Sequence, residues 1–225
     1  MAANRSTNAD RRARIEEMRR AEQARERRNR ILTIGVSAVV VLSLVGFGGW
    51  AINKQSEKKD QEAAAAKAPI EGEKDWDAKK LTRNHVETPV KYEMNPPVGG
   101  DHNPIWQNCN GDVYDKPLND TNAVHSLEHG AVWVTYNKKA DKGDLDKLSS
   151  KVKKTPYSLM SPIDDQSGAI MLSAWGKQVT VDGASDPRVD AFFTKYVNGP
   201  QTPEPGAACT GGVDASGQGG KAMGQ

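Results

Sequence analysis

The sequence predicts an α+β protein in which a small mixed β-sheet with two or three helices follows one N-terminal transmembrane helix. The first observation is an uncharged apolar run of 22 residues, 31–52, which matches the length of about 20 residues that crosses a bilayer core. The second is a later alternation of short apolar segments, typical of strands, with segments of helical period. The third is size: only about 130 residues remain for packing, which is one domain and excludes a multi-domain enzyme.

Charge is distributed unevenly on the two sides of the apolar run. Residues 1–30 contain ten Arg and five acidic residues, a net charge of +5, whereas residues 53–225 contain 21 basic and 24 acidic residues, a net charge of −3. This is the positive-inside pattern, and the run is longer than the apolar region of about 7–15 residues in a cleaved signal peptide. We therefore predict a single-pass signal-anchor in the cell membrane, with a basic cytoplasmic segment at 1–30, a transmembrane helix at 31–52 and an extracytoplasmic C-terminal domain.

The basic segment also predicts which partners the chain has. Arginines beside a membrane span are attracted to anionic lipid, and the interleaved acidic residues weaken the case for nucleic-acid binding, which depends on neutralising phosphates. The sequence contains no glycine-rich phosphate-binding loop. The lipid bilayer is therefore the expected partner, and neither nucleic acid nor nucleotide is expected as a ligand.

Composition divides the region after the span into three parts. Residues 53–75 are mainly Lys, Glu, Gln and Ala, which predicts a linker. Residues 76–209 contain the apolar segments of an extracytoplasmic α+β domain. Residues 210–225 are rich in Gly and poor in apolar side chains, which predicts a disordered tail.

Hydrophobic periodicity predicts the elements of the domain in a β-α-β-β-β-α order. The predicted strands are 131–136, 157–160, 169–175 and 178–181, and the predicted helices are 144–152 and 188–196. The last helix follows Asp186 and Pro187, since proline favours the first helical turn. Residues 76–129, rich in Pro and Gly, are predicted to be an irregular lead-in, and the helices are expected on one face of the sheet.

The chain has two cysteines, Cys109 and Cys209. Both are on the predicted outer side of the membrane, where disulfides persist. We therefore predict an intramolecular disulfide between them, which would tie the lead-in to the end of the domain. An intermolecular bridge and a metal-bound cysteine remain as alternatives.

All four histidines lie within 45 residues, and two of them form an H-x-x-E-H motif. If the motif is helical, His125 and His129 project from one face, one turn apart, with Glu128 beside them as a possible ligand, orienting group or proton acceptor. A turn-rich loop can supply His102 as the third imidazole, and His85 can be the fourth. Three or four imidazoles suit Zn, Cu or Ni, and the sequence therefore predicts a metal site.

Two further interpretations of these residues stay open. Three methionines are candidate soft ligands that would favour Cu(I), although ordinary core packing is the better explanation of each taken alone: Met94, Met160 and Met171. Each histidine can also be a purely structural residue, hydrogen bonded to fix a loop.

A peptidase is a weaker interpretation of the same motif. H-x-x-E-H marks the inverted zinc peptidases, which keep the motif within a long helix and take a third ligand, typically Glu, from a later helix. Here Gly130 ends any helix at once, and Glu204, between two prolines, is the only Glu after Glu128. We therefore assign no catalytic residue and lean against an enzyme.

Four segments carry a resemblance to a known family. These are the YEMNPP segment at 92–97, the GDH at 100–102, the VHSLEHGAV at 124–132 and the SAWG at 173–176. Over residues 80–200 the chain resembles domain-of-unknown-function family 3105, an uncharacterised family common in actinobacteria whose most specific motif is HSLEHG. The resemblance implies an extracytoplasmic domain behind one membrane helix and no established activity. It also implies that five residues occupy recurring family positions: His85, His102, His125, Glu128 and His129.

The chain departs from this family pattern in the loop before His102. Family members commonly have Pro-Pro-Thr-Ser-Gly-x-His there, whereas this chain has PVGGDH at 97–102. The loop hydroxyls are absent, so a substrate role assigned to them would not transfer to this protein.

Three functional hypotheses follow. The first is a membrane-anchored domain that binds Cu or Zn, with His125 and His129 as first ligands, His102 as the third, and His85 or Glu128 completing the set. The second is a non-catalytic accessory subunit of a membrane or respiratory complex, with other membrane proteins as partners. The third is a metallohydrolase, which needs an open coordination position.

Overall fold

A computed structural model of the chain describes residues 3–214. The chain divides into two compact units, Met1–Asp60 and Gln61–Gln225. Helix α1 (Ala3–Lys67) makes up the described part of the first unit. Its stretch Arg11–Gln55 is long and apolar enough to cross a membrane.

The apolar stretch of α1 has two features suited to a lipid environment. Its large apolar side chains, from Ile31 to Trp50, are exposed. Its hydroxyl groups bond back to the helix: Thr33 Oγ1 donates to the carbonyl of Asn29 (2.9 Å) and Ser43 Oγ to that of Val39 (2.8 Å). Such bonds satisfy polar groups that lipid cannot solvate.

The second unit is a six-stranded mixed sheet with three helices, which confirms the predicted α+β class. Strand order across the sheet is β1-β6-β5-β3-β4-β2. Strands β2, β4 and β3 pair in parallel, and β3, β5, β6 and β1 pair antiparallel. The bounds are β1 (Lys74–Asp75), β2 (Asn110–Val113), α2 (Asp120–Glu128), β3 (Val132–Tyr136), α3 (Lys142–Val152), β4 (Ser158–Pro162), β5 (Ile170–Ala174), β6 (Lys177–Val181) and α4 (Pro187–Tyr196).

Every strand and helix predicted from periodicity is present within about two residues of its predicted bounds. Helix α3 starts earlier than predicted because Asp141 caps it, accepting hydrogen bonds from the backbone of Gly143 (2.8 Å) and Asp144 (3.3 Å). The lead-in differs from the prediction, since it contains β2 and α2. Neither element has a long apolar repeat, which is why periodicity did not predict them.

The sheet is covered on both faces, which corrects the expectation of helices on one face. Val132 and Val134 of β3 pack in a first core with α3 and α4. Trp133 points the other way, into a second core with Val124 and Leu127 of α2. The sequence of β3 gives the reason, because consecutive apolar residues, here Val132, Trp133 and Val134, are typical of a strand that is buried on both faces.

The ends of the folded unit extend beyond the predicted domain bounds. On the N-terminal side Ile70 is in the first core, and the hydroxyl of Tyr196 in α4 donates to the carboxylate of Glu73. On the C-terminal side Val213 forms a β-bridge with Gln107. The rest of the predicted tail, residues 215–225, lies outside the described residues.

Asp186 caps helix α4 and pairs with Arg188. Its carboxylate accepts hydrogen bonds from the Arg188 backbone N–H (2.9 Å), Nε (3.0 Å) and Nη2 (2.6 Å). Its side chain is 6% exposed. The bonds from Arg188 hold the pKa of Asp186 at about 2, so the ionised form is stabilised by folding.

Replacing Asp186 with Asn is expected to lower the free energy of unfolding by about 1–2 kcal/mol at pH 7, because the cap is kept and the charge is lost. The wild-type advantage is complete above the unfolded pKa of about 3.9 and disappears as the pH falls through about 2. Urea unfolding followed by tryptophan fluorescence at several pH values measures this. Asp182→Asn is the control, since that exposed carboxylate lies 3.3 Å from the same guanidinium and contributes little. An equal loss in both variants, or a loss independent of pH, contradicts the prediction.

Candidate metal centre

Helix α2 carries the H-x-x-E-H motif in its last turn. Asn119 caps its start by accepting a hydrogen bond from the backbone of Thr121 (3.1 Å). Gly130 ends it with φ +102°, where an added Cβ would press on the Asn198 side chain. All helix residues after Asp120 are buried. The last turn therefore presents its polar side chains inside the protein rather than to solvent.

Three of the four histidines are oriented by main-chain carbonyls. Nδ1 of His102 donates to the carbonyl of Gly100 (2.8 Å), Nδ1 of His125 to that of Asn103 (2.7 Å), and Nδ1 of His129 to that of Ala208 (2.7 Å). A carbonyl only accepts, so each Nδ1 carries a hydrogen, and Nε2 is the ring atom left to bind a metal. Histidines that bind metals are typically held in this way.

Four side chains place their ligand atoms together. The Nε2 of His102 lies 2.8 Å from Oε2 of Glu128, and the Nε2 of His85 lies 3.9 Å from the same oxygen. With His125, the four ligand atoms are all within 4.8 Å of one another. Ligands of a tetrahedral Zn²⁺ with bonds near 2.1 Å are about 3.4 Å apart, so the most distant ligand atoms have to approach each other by about 1.4 Å and the closest pair has to separate by about 0.6 Å. We call these four residues the His/Glu group.

Two atoms of the His/Glu group make a close buried contact. His102 Nε2 and Glu128 Oε2 are 2.8 Å apart, within ion-pair distance, although their alignment is not that of a well-formed hydrogen bond. The two side chains are 0% and 2% exposed. A buried carboxylate needs a cationic or hydrogen-bonding partner, and a metal ion bound to both side chains would supply one.

The protonation states suit metal binding. Burial and the neighbouring His129 lower the pKa of His125 to about 3, and burial also lowers the pKa of His129. For Glu128, burial opposes ionisation, but the neighbouring imidazoles, His102 first, outweigh it and lower the pKa. At neutral pH His125 is therefore a neutral nitrogen donor and Glu128 is an anionic oxygen donor.

The His/Glu group opens to solvent on one side. A polar surface depression is lined by Arg83, Asn84, His85, Glu128 and Glu204. His85 is 37% exposed, whereas the other members of the group are buried. An ion therefore has a path to the group through this depression.

His129 lies outside the His/Glu group, although helical spacing predicted it as a first ligand with His125. The two rings are adjacent, with centroids 4.5 Å apart. The bond to the Ala208 carbonyl, however, leaves the Nε2 of His129 3.9 Å from Glu204. The closest pair in the group is His102 with Glu128, which the H-x-x-E-H spacing alone does not indicate.

Two of the three candidate methionines pack away from the site. Met160 is in the first core, and Met171 is buried with its sulfur 3.8 Å from the Ser167 hydroxyl. Neither packs among the second-core residues around α2. Met94 is half-buried in the lead-in, outside its strand and helix. The ligand atoms of the His/Glu group are nitrogen and oxygen atoms.

The cysteines pair as predicted. The sulfur atoms of Cys109 and Cys209 are at disulfide distance, and both residues are buried in the second core. The Cys109 backbone N–H donates to the Cys209 carbonyl (2.8 Å). The disulfide therefore holds the C-terminal segment, including the Ala208 carbonyl that orients His129, against the lead-in, and leaves no cysteine free for a metal.

Comparison with known proteins gives one match. A family model described as "Protein of unknown function (DUF3105)" matches residues 85–211. This range contains the disulfide and all four members of the His/Glu group. The comparisons with curated proteins and with solved structures gave no significant match.

Proposed function

The chain belongs to the DUF3105 family, and we propose that its folded unit binds one divalent transition-metal ion, Zn²⁺ or Cu²⁺, through the His/Glu group. The observation that carries the proposal is the convergence of three imidazole nitrogens and one carboxylate oxygen, all within 4.8 Å of one another. A metal ion bound by this group would replace the direct contact of His102 Nε2 with Glu128 Oε2 and be a partner for both atoms.

The donor set supports this choice of metals. Three imidazoles with one carboxylate suit Zn²⁺ and Cu²⁺. An all-oxygen site would suit Mg²⁺ or Ca²⁺, and a thiolate or thioether site would suit Cu(I). In this proposal Glu128 is a ligand, and no catalytic step is assigned.

We further propose that the domain holds its metal at the outer face of the cell membrane. Helix α1 is long and apolar enough to span a bilayer, and ten arginines precede its apolar stretch, which favours a cytoplasmic N-terminus. The cysteine pair supports an oxidising compartment for the domain. The lipid bilayer is the partner in this proposal.

Metal titration of the untagged full chain in detergent tests the proposed site. We expect binding of one Zn²⁺ with sub-micromolar affinity, an order of magnitude consistent with four protein ligands. In His125→Asn the amide can still donate to the Asn103 carbonyl, but the Nε2 ligand is lost, and we expect at least a 100-fold weaker affinity. His129→Asn is the matched control on the same helix, and its affinity should change less than about threefold.

Two results would overturn the proposed site. One is a wild-type chain that binds neither Zn²⁺ nor Cu²⁺. The other is an equal loss of affinity in His125→Asn and His129→Asn, which would mean that the ion binds elsewhere or that the helix is disturbed. Circular dichroism of both variants separates loss of a ligand from loss of the fold.

A further inference from the structure

His85 differs from the other three histidines in how its ring is held. In the described part of the chain its ring nitrogens make no hydrogen bond, and its Nε2 lies 3.9 Å from Glu128 Oε2. The ring otherwise has packing contacts only. It stacks on His125 with centroids 4.8 Å apart and meets the edge of His102 at 5.0 Å.

The backbone beneath His85 is fixed even though its ring is not. The His102 N–H donates to the Asn84 carbonyl (3.0 Å), and the Val86 N–H donates to the His102 carbonyl (2.7 Å). These two bonds form a parallel bridge that aligns His85 with His102. The ring can therefore leave the group and return by side-chain rotation alone, without movement of the chain.

His85 lies on the side of the His/Glu group that faces solvent. His102, His125 and Glu128 are buried, whereas His85 is 37% exposed and lines the depression. Within that lining two carboxylates, of Glu128 and Glu204, outnumber the single guanidinium of Arg83. The depression thus favours the approach of a cation.

We propose that His85 is an exchangeable ligand through which the ion enters and leaves. The other three ligands keep the metal while the bond from His85 Nε2 breaks, and a bond from an incoming neutral imidazole forms in its place. The metal keeps its oxidation state and total charge in this exchange, and no proton is transferred. The incoming donor is a neutral nitrogen ligand of the imidazole class, so the ion is exchangeable rather than held permanently. This inference rests on the proposed function.

Rescue by free imidazole tests the inference, with Co²⁺ as a spectroscopic probe in the untagged full chain. In His85→Gly we expect the Co²⁺ affinity to fall at least tenfold and millimolar imidazole to restore it to within about threefold of the wild-type chain in the same buffer. In His125→Gly imidazole should restore nothing, because that position is 4% exposed. The wild-type chain at the same imidazole concentration corrects for competition by the free ligand.

A second measurement uses the unmodified chain and so does not depend on how the variants fold. Imidazole should accelerate transfer of Co²⁺ from the wild-type protein to an excess of chelator at least fivefold, and the rate should level off once the His85 position is occupied. Equal rescue of both variants, rescue of neither, or a transfer rate independent of imidazole would overturn the exchangeable ligand while leaving the metal site in place. A wild-type chain that binds no Co²⁺, Zn²⁺ or Cu²⁺ would instead overturn the proposed function itself.

Discussion

Replacing Cys109 and Cys209 together with Ser is expected to lower the free energy of unfolding by about 3–5 kcal/mol, the largest effect of any change considered for this fold. The two residues are 100 positions apart, and a crosslink that closes a long loop restricts the unfolded chain strongly. Both are also buried, so the variant places two hydroxyl groups in an apolar core. Chemical unfolding followed by tryptophan fluorescence measures the change.

Reduction of the wild-type protein is the natural comparison for this variant. Dithiothreitol should produce a similar loss of stability in the wild type and none in the double Ser variant. If the variant loses less than about 1 kcal/mol, the crosslink does not restrain the unfolded chain as the loop length predicts. If the reduced wild type stays as stable as the oxidised protein while the variant does not, the loss comes from the buried hydroxyls.

Saturating the protein with Zn²⁺ is expected to raise its stability by about 2.7 kcal/mol at a free concentration of 100 times Kd. For a domain of this size that corresponds to a rise in Tm of roughly 5–10 °C. The ion binds the folded state because its ligands come from distant parts of the chain, with His85 43 positions before Glu128. Thermal unfolding with and without Zn²⁺ gives the shift.

A matched pair of carboxylate variants makes this prediction specific. Glu128→Gln keeps the shape of the side chain and removes the anionic ligand, so the Zn²⁺-dependent rise should fall below about 2 °C. Glu204→Gln changes the other carboxylate of the depression, which lies outside the His/Glu group, and should keep most of the rise. The prediction is wrong if both variants keep the full shift or both lose it.

Much of the domain was predictable because its strands and last two helices have simple periods. Strand β3 begins with three consecutive apolar residues, and α4 begins at a proline that follows the capping residue Asp186. Helix α2 was not assigned from periodicity, since polar residues alternate with apolar ones along it. The packing of α2 on the second face of the sheet was not predicted either. The consecutive apolar residues of β3 nevertheless indicate a strand that is buried on both faces.

The sequence predicts which residues form the candidate site but not how they are arranged in space. The clustering of histidines along the chain identified every member of the His/Glu group. Which imidazoles converge depends on backbone carbonyls, and the carbonyl that orients His129 belongs to Ala208, 79 positions away. Helical spacing contains no information about such a partner, so His129 could not be separated from His125 by sequence alone.

The C-terminal segment has a consequence for how the protein is made. The Glu204 backbone N–H donates to the Glu128 carbonyl (3.0 Å), and the following residues carry the Ala208 acceptor and Cys209. Ribosomes make a chain from its N-terminus, so the helix with His125 is made well before the segment that braces it. The packing around this helix is therefore completed only once the last part of the folded unit has been synthesised.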